Sequence, residues 1–178
     1  MTGGVPAGWE GILDPGERIL WQGRPDAQLA IGVAEVMGGL FGLAFAGFAL
    51  LWMIIAAMGG GFFWTFGLLH FGVGLGIAFG PPLWSVHRRR RTWYTLTDRR
   101  AFIATDTRFT GRTLRSWPIR PDTALTLAEG RPPSLWFAQE LRRGKRGSFH
   151  MPVGFERITD APAVMALMRG IQRQAAAE

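Results

Sequence analysis

HRRRRTWYTLTDRR, residues 87–100, places six arginines and two aromatic side chains in fourteen positions. Basic residues interleaved with stacking aromatics suit a nucleic-acid surface. Arginines that directly follow an apolar segment equally mark the cytoplasmic end of a membrane span. The sequence on either side of the stretch decides between the two readings.

Upstream, from Ala27 to Val86, the only formally charged side chain is Glu35. A helix crosses ~30 Å of hydrocarbon with ~20 mostly apolar residues. Residues 29–57, LAIGVAEVMGGLFGLAFAGFALLWMIIAA, exceed that length, and so do residues 62–84, FFWTFGLLHFGVGLGIAFGPPLW. Only Met58-Gly59-Gly60-Gly61 separates them, so the first segment must turn straight back into the second. The expectation is a transmembrane helical hairpin. A cleaved signal peptide does not fit, because the preceding 28 residues are net acidic and the apolar run is too long.

Arginine accumulates on the cytoplasmic side, so both termini are expected in the cytoplasm, with the glycine turn at the opposite face. Trp52, Trp64 and Trp84 sit near span ends, where aromatic belts form. Small residues recur every fourth position, at Gly38, Gly42 and Ala46 and again at Gly72, Gly76 and Gly80, and such stripes let helix backbones approach closely. The partner is either the other span or a second copy of the chain, the intramolecular pairing being the simpler. GVGLG at 72–76 lies inside an apolar span and is not a dinucleotide loop, which needs a strand before it and a solvent-reaching helix start after it.

Glu35 and His70 are the intramembrane polar residues, functional suspects by position. Counted from the ends of the apolar runs, Glu35 lies ~9 Å from the cytoplasmic side and His70 ~12 Å from the other. That difference in depth argues against a direct pair. A snorkelling or protonated Glu35 and a hydrogen-bonded His70 account for both without a proton path.

Downstream of residue 91 the pattern changes. Residues 92–97 and 100–105 flank an expected turn at Asp98-Arg99, and further β-like runs follow, separated by PD, GRPP and RRGKRG. In SLWFAQEL, residues 134–141, Leu135, Phe137 and Leu141 are expected on one face, with Trp136 and Glu140 on the other. A single amphipathic helix closes the chain, with Asp160 as N-cap and Val164, Leu167, Met168 and Ile171 as its apolar stripe. ERILWQG, residues 17–23, reads as a strand before the first span. Since both ends share a compartment, it is expected to dock on the C-terminal domain.

The GERILWQGRP opening, two spans, the YTLTDRR hairpin and the late FERITD lead into an apolar helix resemble bacterial membrane proteins carrying a pleckstrin-homology-like domain. The resemblance covers nearly the whole chain. It implies a curved antiparallel sheet or partial barrel with a C-terminal helix, serving as a binding or scaffolding module in the bacterial inner membrane. The expected organisation is a cytoplasmic segment over residues 1–28, spans at 29–57 and 62–84, and the PH-like domain at 92–174.

The chain has no cysteine, which excludes disulfides and thiolate chemistry. The three histidines are scattered, no Walker, G-x-S-x-G, H-E-x-x-H or kinase signature occurs, and neither an enzyme nor a cofactor is expected. The net charge of +7 arises after the second span, where eighteen Arg and Lys face eight acids. Membrane lipids are therefore the expected partner, with Arg88, Arg89, Arg90, Arg91, Arg99, Arg100, Arg142, Arg143, Lys145 and Arg146 as headgroup candidates. A protein partner, or a second copy of the chain, is the alternative, met through a sheet edge or the Trp117 and Trp136 region. Nucleic acid is not expected. On this reading residues 87–91 form a topological fence post, residues 92–97 a strand, and residues 98–100 a turn.

Overall fold

The computed structural model describes residues 8–108, 111–144 and 147–177. The chain divides into two compact units, Ala27–Arg88 and Met1–Asp26 with Arg89–Glu178.

The first unit is a helical hairpin. Helix α1 spans Val33–Met58 and helix α2 spans Phe66–Arg90, joined through the glycine turn and a short 3-10 segment, Phe63–Thr65. At 1.5 Å per residue each is ~37–39 Å long, more than the ~30 Å of a hydrocarbon core. Gly60 and Gly61 both take positive φ, which turns the chain at little cost. Both boundaries differ from the sequence reading. Residues 29–32 are not helical although apolar, because the helix starts where Glu35 can cap it: its carboxylate accepts the Gly32 N–H at 3.0 Å. α2 continues past Trp84 to Arg90, with Pro81 and Pro82 inside it.

The two helices meet along Gly42, Ala46 and Ala49 of α1 and Gly67, Gly74 and Ala78 of α2, all buried. A methyl group at Gly42 would lie 2.5 Å from Ala78 N and 2.6 Å from Gly74 O, so only glycine fits. Gly42 and Ala46 thus serve as the spacing suggested. Gly38, Gly72, Gly76 and Gly80 do not, since a methyl group on any of them meets nothing within 4 Å. The α2 stripe actually used is offset by two residues, a rotation of ~200° about the helix. Gly42→Leu should cost ~1–3 kcal/mol or more by overpacking and lower the thermal unfolding midpoint in detergent. Gly76→Leu should leave it unchanged. A matching drop for Gly76→Leu would show that the outer stripe also packs.

The second unit holds two antiparallel sheets and a helix. β1 (Ile19–Gly23), β2 (Thr92–Thr97), β3 (Arg100–Thr107) and β4 (Gly111–Pro118) form one sheet in that order. β5 (Thr126–Ala128), β6 (Ser134–Gly144) and β7 (Gly147–Phe155) form the other. They remain two sheets rather than one closed barrel. Tyr94 and Leu96 of the first sheet meet Leu135, Phe137, Val153 and Phe155 of the second, and helix α3 (Ala161–Ala175) seals the core.

The stripe on α3 is Ala161, Val164, Met168 and Ile171; Leu167, expected within it, is 38% exposed. In β6 the register shifts between Trp136 and Ala138. Leu135 and Phe137 are buried as expected, but the bulge sends Leu141 to solvent and turns Glu140 toward Arg115 of β4. Arg142, Arg143 and Gly144, expected between strands, continue β6, and Gly147 begins β7.

Candidate functional site

Because α2 runs on to Arg90, three of the four consecutive arginines lie on a helix, where successive side chains point ~100° apart. They diverge instead of forming one patch. Arg89 is 5% exposed and pairs with Glu156 at 3.6 Å, whereas Arg88, Arg90 and Arg91 are exposed. Three cations at a helix C-terminus also suit the helix dipole.

Arg99 and Arg100 divide in the same way. Arg99 stays exposed, 4.0 Å from Asp14. Arg100 donates through Nε and Nη2 to the buried Glu17 carboxylate, at 3.0 and 2.8 Å, and lies 3.2 Å from Asp14. Thr97 Oγ1 donates to the same carboxylate at 2.6 Å. Burial alone would raise the pKa of Glu17. The hydrogen bonds from Arg100, Thr97 and the Asp14 N–H prevail and lower it to about 2, while the same contact raises that of Arg100. Arg89 and Arg100 are therefore each paired with a carboxylate of the same unit.

Arg142 and Arg143 are exposed near the end of the β6–β7 hairpin, beside the exposed Leu141 and Phe149. Lys145 and Arg146 lie outside the described residues. Trp117 packs edge-on to Phe137, with the Arg115 guanidinium over its ring, and belongs to the core margin.

A second cluster was not visible in the sequence. Glu156 and Arg157, the corner between β7 and α3, hold both stretches of chain that lead to the apolar helices. Glu156 takes Arg89, in the last turn of α2. Arg157 pairs through Nη2 with Asp26 at 2.8 Å, and its carbonyl accepts the Asp26 N–H at 2.8 Å. Arg157 adopts a φ of 51°, a left-handed conformation unusual outside glycine. The Glu156 N–H donates to Tyr94 Oη and the Arg157 N–H to Ser134 Oγ, which fixes the corner. Nearby, Asp160 sits at the N-cap position of α3, but its carboxylate accepts the Trp21 indole N–H in place of a cap bond. The only sequence signal was adjacency of opposite charges, which is common on surfaces.

The polar residues of the apolar helices have local roles. Glu35 caps α1 in its first turn rather than lying a third of the way in, and His70 Nδ1 sits 3.2 Å from the Phe66 carbonyl, one turn back. Nothing brings the two together. Among the described residues no three His, Asp or Glu side chains gather as a metal site.

No protein-family model, curated protein or solved structure matches the chain.

Proposed function

We propose that this is a two-span integral membrane protein of the bacterial inner membrane, with both termini cytoplasmic. It presents a PH-like binding or scaffolding module whose exposed arginines, Arg88, Arg90 and Arg91 foremost, rest on anionic headgroups. One observation carries the reading: two helices long enough to cross a bilayer expose their apolar side chains, and the second of them runs out into those arginines. The apolar windows of the helices are only 22% and 17% buried within the protein, and Phe41, Phe48, Ile55 and Leu69 are each more than half exposed. Water does not tolerate such a surface at this scale, whereas hydrocarbon does. Each arginine near an anionic leaflet contributes ~1 kcal/mol. The order of two sheets and a terminal helix suits the PH-like resemblance.

A reporter active only outside the cytoplasm tests the topology. Fused after residue 178 it should be silent, and inserted at Gly60 it should be active; the reverse pattern overturns the orientation. A second reading, a protein-interaction module indifferent to lipid, draws on β4, which among the described residues pairs along one edge only and is exposed over most of its length.

A further inference from the structure

The outward face of the β1–β4 sheet is unusual for an antiparallel sheet, whose solvent side is ordinarily polar. Trp93, Phe102, Ala104 and Leu114 lie on it, on three successive strands. Trp9, from the turn before β1, stands edge-on over Phe102 at 5.2 Å between centroids and buries it to 3%. It thereby forms one wall of an open groove of about 900 Å³ whose floor includes Thr95 and Ala104, within the range of small-molecule sites.

Two guanidinium groups border the groove. Arg24 lies 4.8 Å over the Trp93 ring. Arg112 is 89% exposed and uses Nε for Asp106 at 3.1 Å, which leaves its two terminal nitrogens for another anion. Trp93 is on β2 and Arg112 on β4, two strands apart and two residues along the sheet, ~12 Å in all. Two arginine side chains can close that gap on one phosphate. The register sets the site's position along the sheet: Thr92 opposes Thr105 and Asp106 opposes Arg112, so the groove reaches the sheet end where α2 hands the chain to β2.

We propose that this groove binds a single anionic phospholipid, its phosphate taken by Arg24 and Arg112 and its glycerol and upper chain laid along Trp93 and Trp9. The proposal rests on the membrane-surface reading above and adds to it one specific lipid site, distinct from the exposed arginines at the end of α2. The net positive border, and lining strands that follow directly in sequence from α2, favour a lipid over a soluble peptide.

Native mass spectrometry of the full chain in detergent, with phosphatidylglycerol and phosphatidylcholine of matched chains, tests the site. Wild type should retain one phosphatidylglycerol at least about tenfold more readily than phosphatidylcholine, as charge-assisted pairs to phosphate allow. Arg24→Gln with Arg112→Gln should abolish the preference, and both positions are exposed, so folding is not at stake. Ala104→Trp, which fills the floor and keeps both charges, should also displace the lipid. Arg88→Gln with Arg90→Gln and Arg91→Gln should leave the single retained lipid in place while reducing the salt-sensitive preference for anionic nanodiscs. If the groove variants retain phosphatidylglycerol as wild type does, the groove is not the site, and loss in the triple variant would then leave the surface reading standing. If wild type prefers neither lipid and neither type of nanodisc, both readings fall.

Discussion

Deleting residues 1–24 should abolish cooperative unfolding of the sheet-containing unit. The segment contributes far more than a fifth strand-to-strand contact. β1 pairs with β2 along Ile19, Trp21, Gln22 and Gly23, and the Trp21 ring packs 5.2 Å from Phe155, itself fully buried at the centre of the core. The Trp21 indole holds Asp160 at the start of α3. The Arg18 N–H donates to Asp98 Oδ1, and the Asp98 N–H returns a bond to the Arg18 carbonyl, which locks the β2–β3 turn. Losing a large core aromatic costs ~3–5 kcal/mol, and removing one partner of a buried ion pair costs ~3–5 kcal/mol. Together these match the ~5–15 kcal/mol by which a whole domain is stable. Hydrogen exchange on the truncated full-span protein should show the protected core amides of β2, β3 and β7 exchanging as an unfolded chain does. Retention of wild-type protection there would mean that the post-span sequence folds without its N-terminal strand. Trp21→Ala in the intact chain should give a graded version, a lowered midpoint with cooperativity kept.

What was legible in the sequence follows from the range of the interactions. The apolar helices and the strands after residue 91 are encoded by local composition and alternation, and each β-like run coincides with a strand. The C-terminal helix likewise follows from its own period. The failures share a cause, which is that a remote partner chooses the face. In β6, alternation places Leu141 with Leu135 and Phe137, but one bulge reverses it, and no local residue type announces a bulge here. In α2 two small-residue stripes lie on opposite faces of the helix, and complementarity with Gly42 selects Gly74 and Ala78 over Gly72 and Gly76. The arginine candidates looked equivalent because charge is visible in a sequence and pairing is not. Arg89 finds Glu156 and Arg100 finds Glu17 across long stretches of chain, so two of the ten proposed headgroup residues are internal to the fold. The groove between Trp9 and Trp93 was likewise out of reach, since its walls come from opposite sides of the apolar helical hairpin in sequence.

Lowering the pH should destabilise the wild type steeply between about 4.5 and 2, and Glu17→Gln should remove most of that dependence. In the folded chain the Glu17 carboxyl has its pKa lowered from 4.5 to about 2, held ionised by Arg100, Thr97 and the Asp14 N–H against the cost of burial. A carboxyl with a lowered folded pKa takes up its proton more readily in the unfolded chain, so acid favours unfolding. The stabilisation is complete above the unfolded value, declines as pH falls below 4.5, and is largely gone near 2. The shift corresponds to about 3 kcal/mol at neutral pH, a large part of ordinary domain stability. Arg100 keeps its charge throughout this range, its own pKa being raised by the pair, so the loss tracks Glu17 rather than its partner. Asp14, also within 3.2 Å of Arg100, is exposed, and Asp14→Asn should alter the profile far less. The measurement is the thermal midpoint of the full chain in detergent, followed from neutral pH downward for wild type, Glu17→Gln and Asp14→Asn. Near neutrality Glu17→Gln should lie well below wild type, and the two curves should converge toward pH 2, where both chains carry a neutral group opposite Arg100. Parallel curves for wild type and Glu17→Gln across the acid range would show that the buried pair does not anchor the N-terminal strand to the β2–β3 turn.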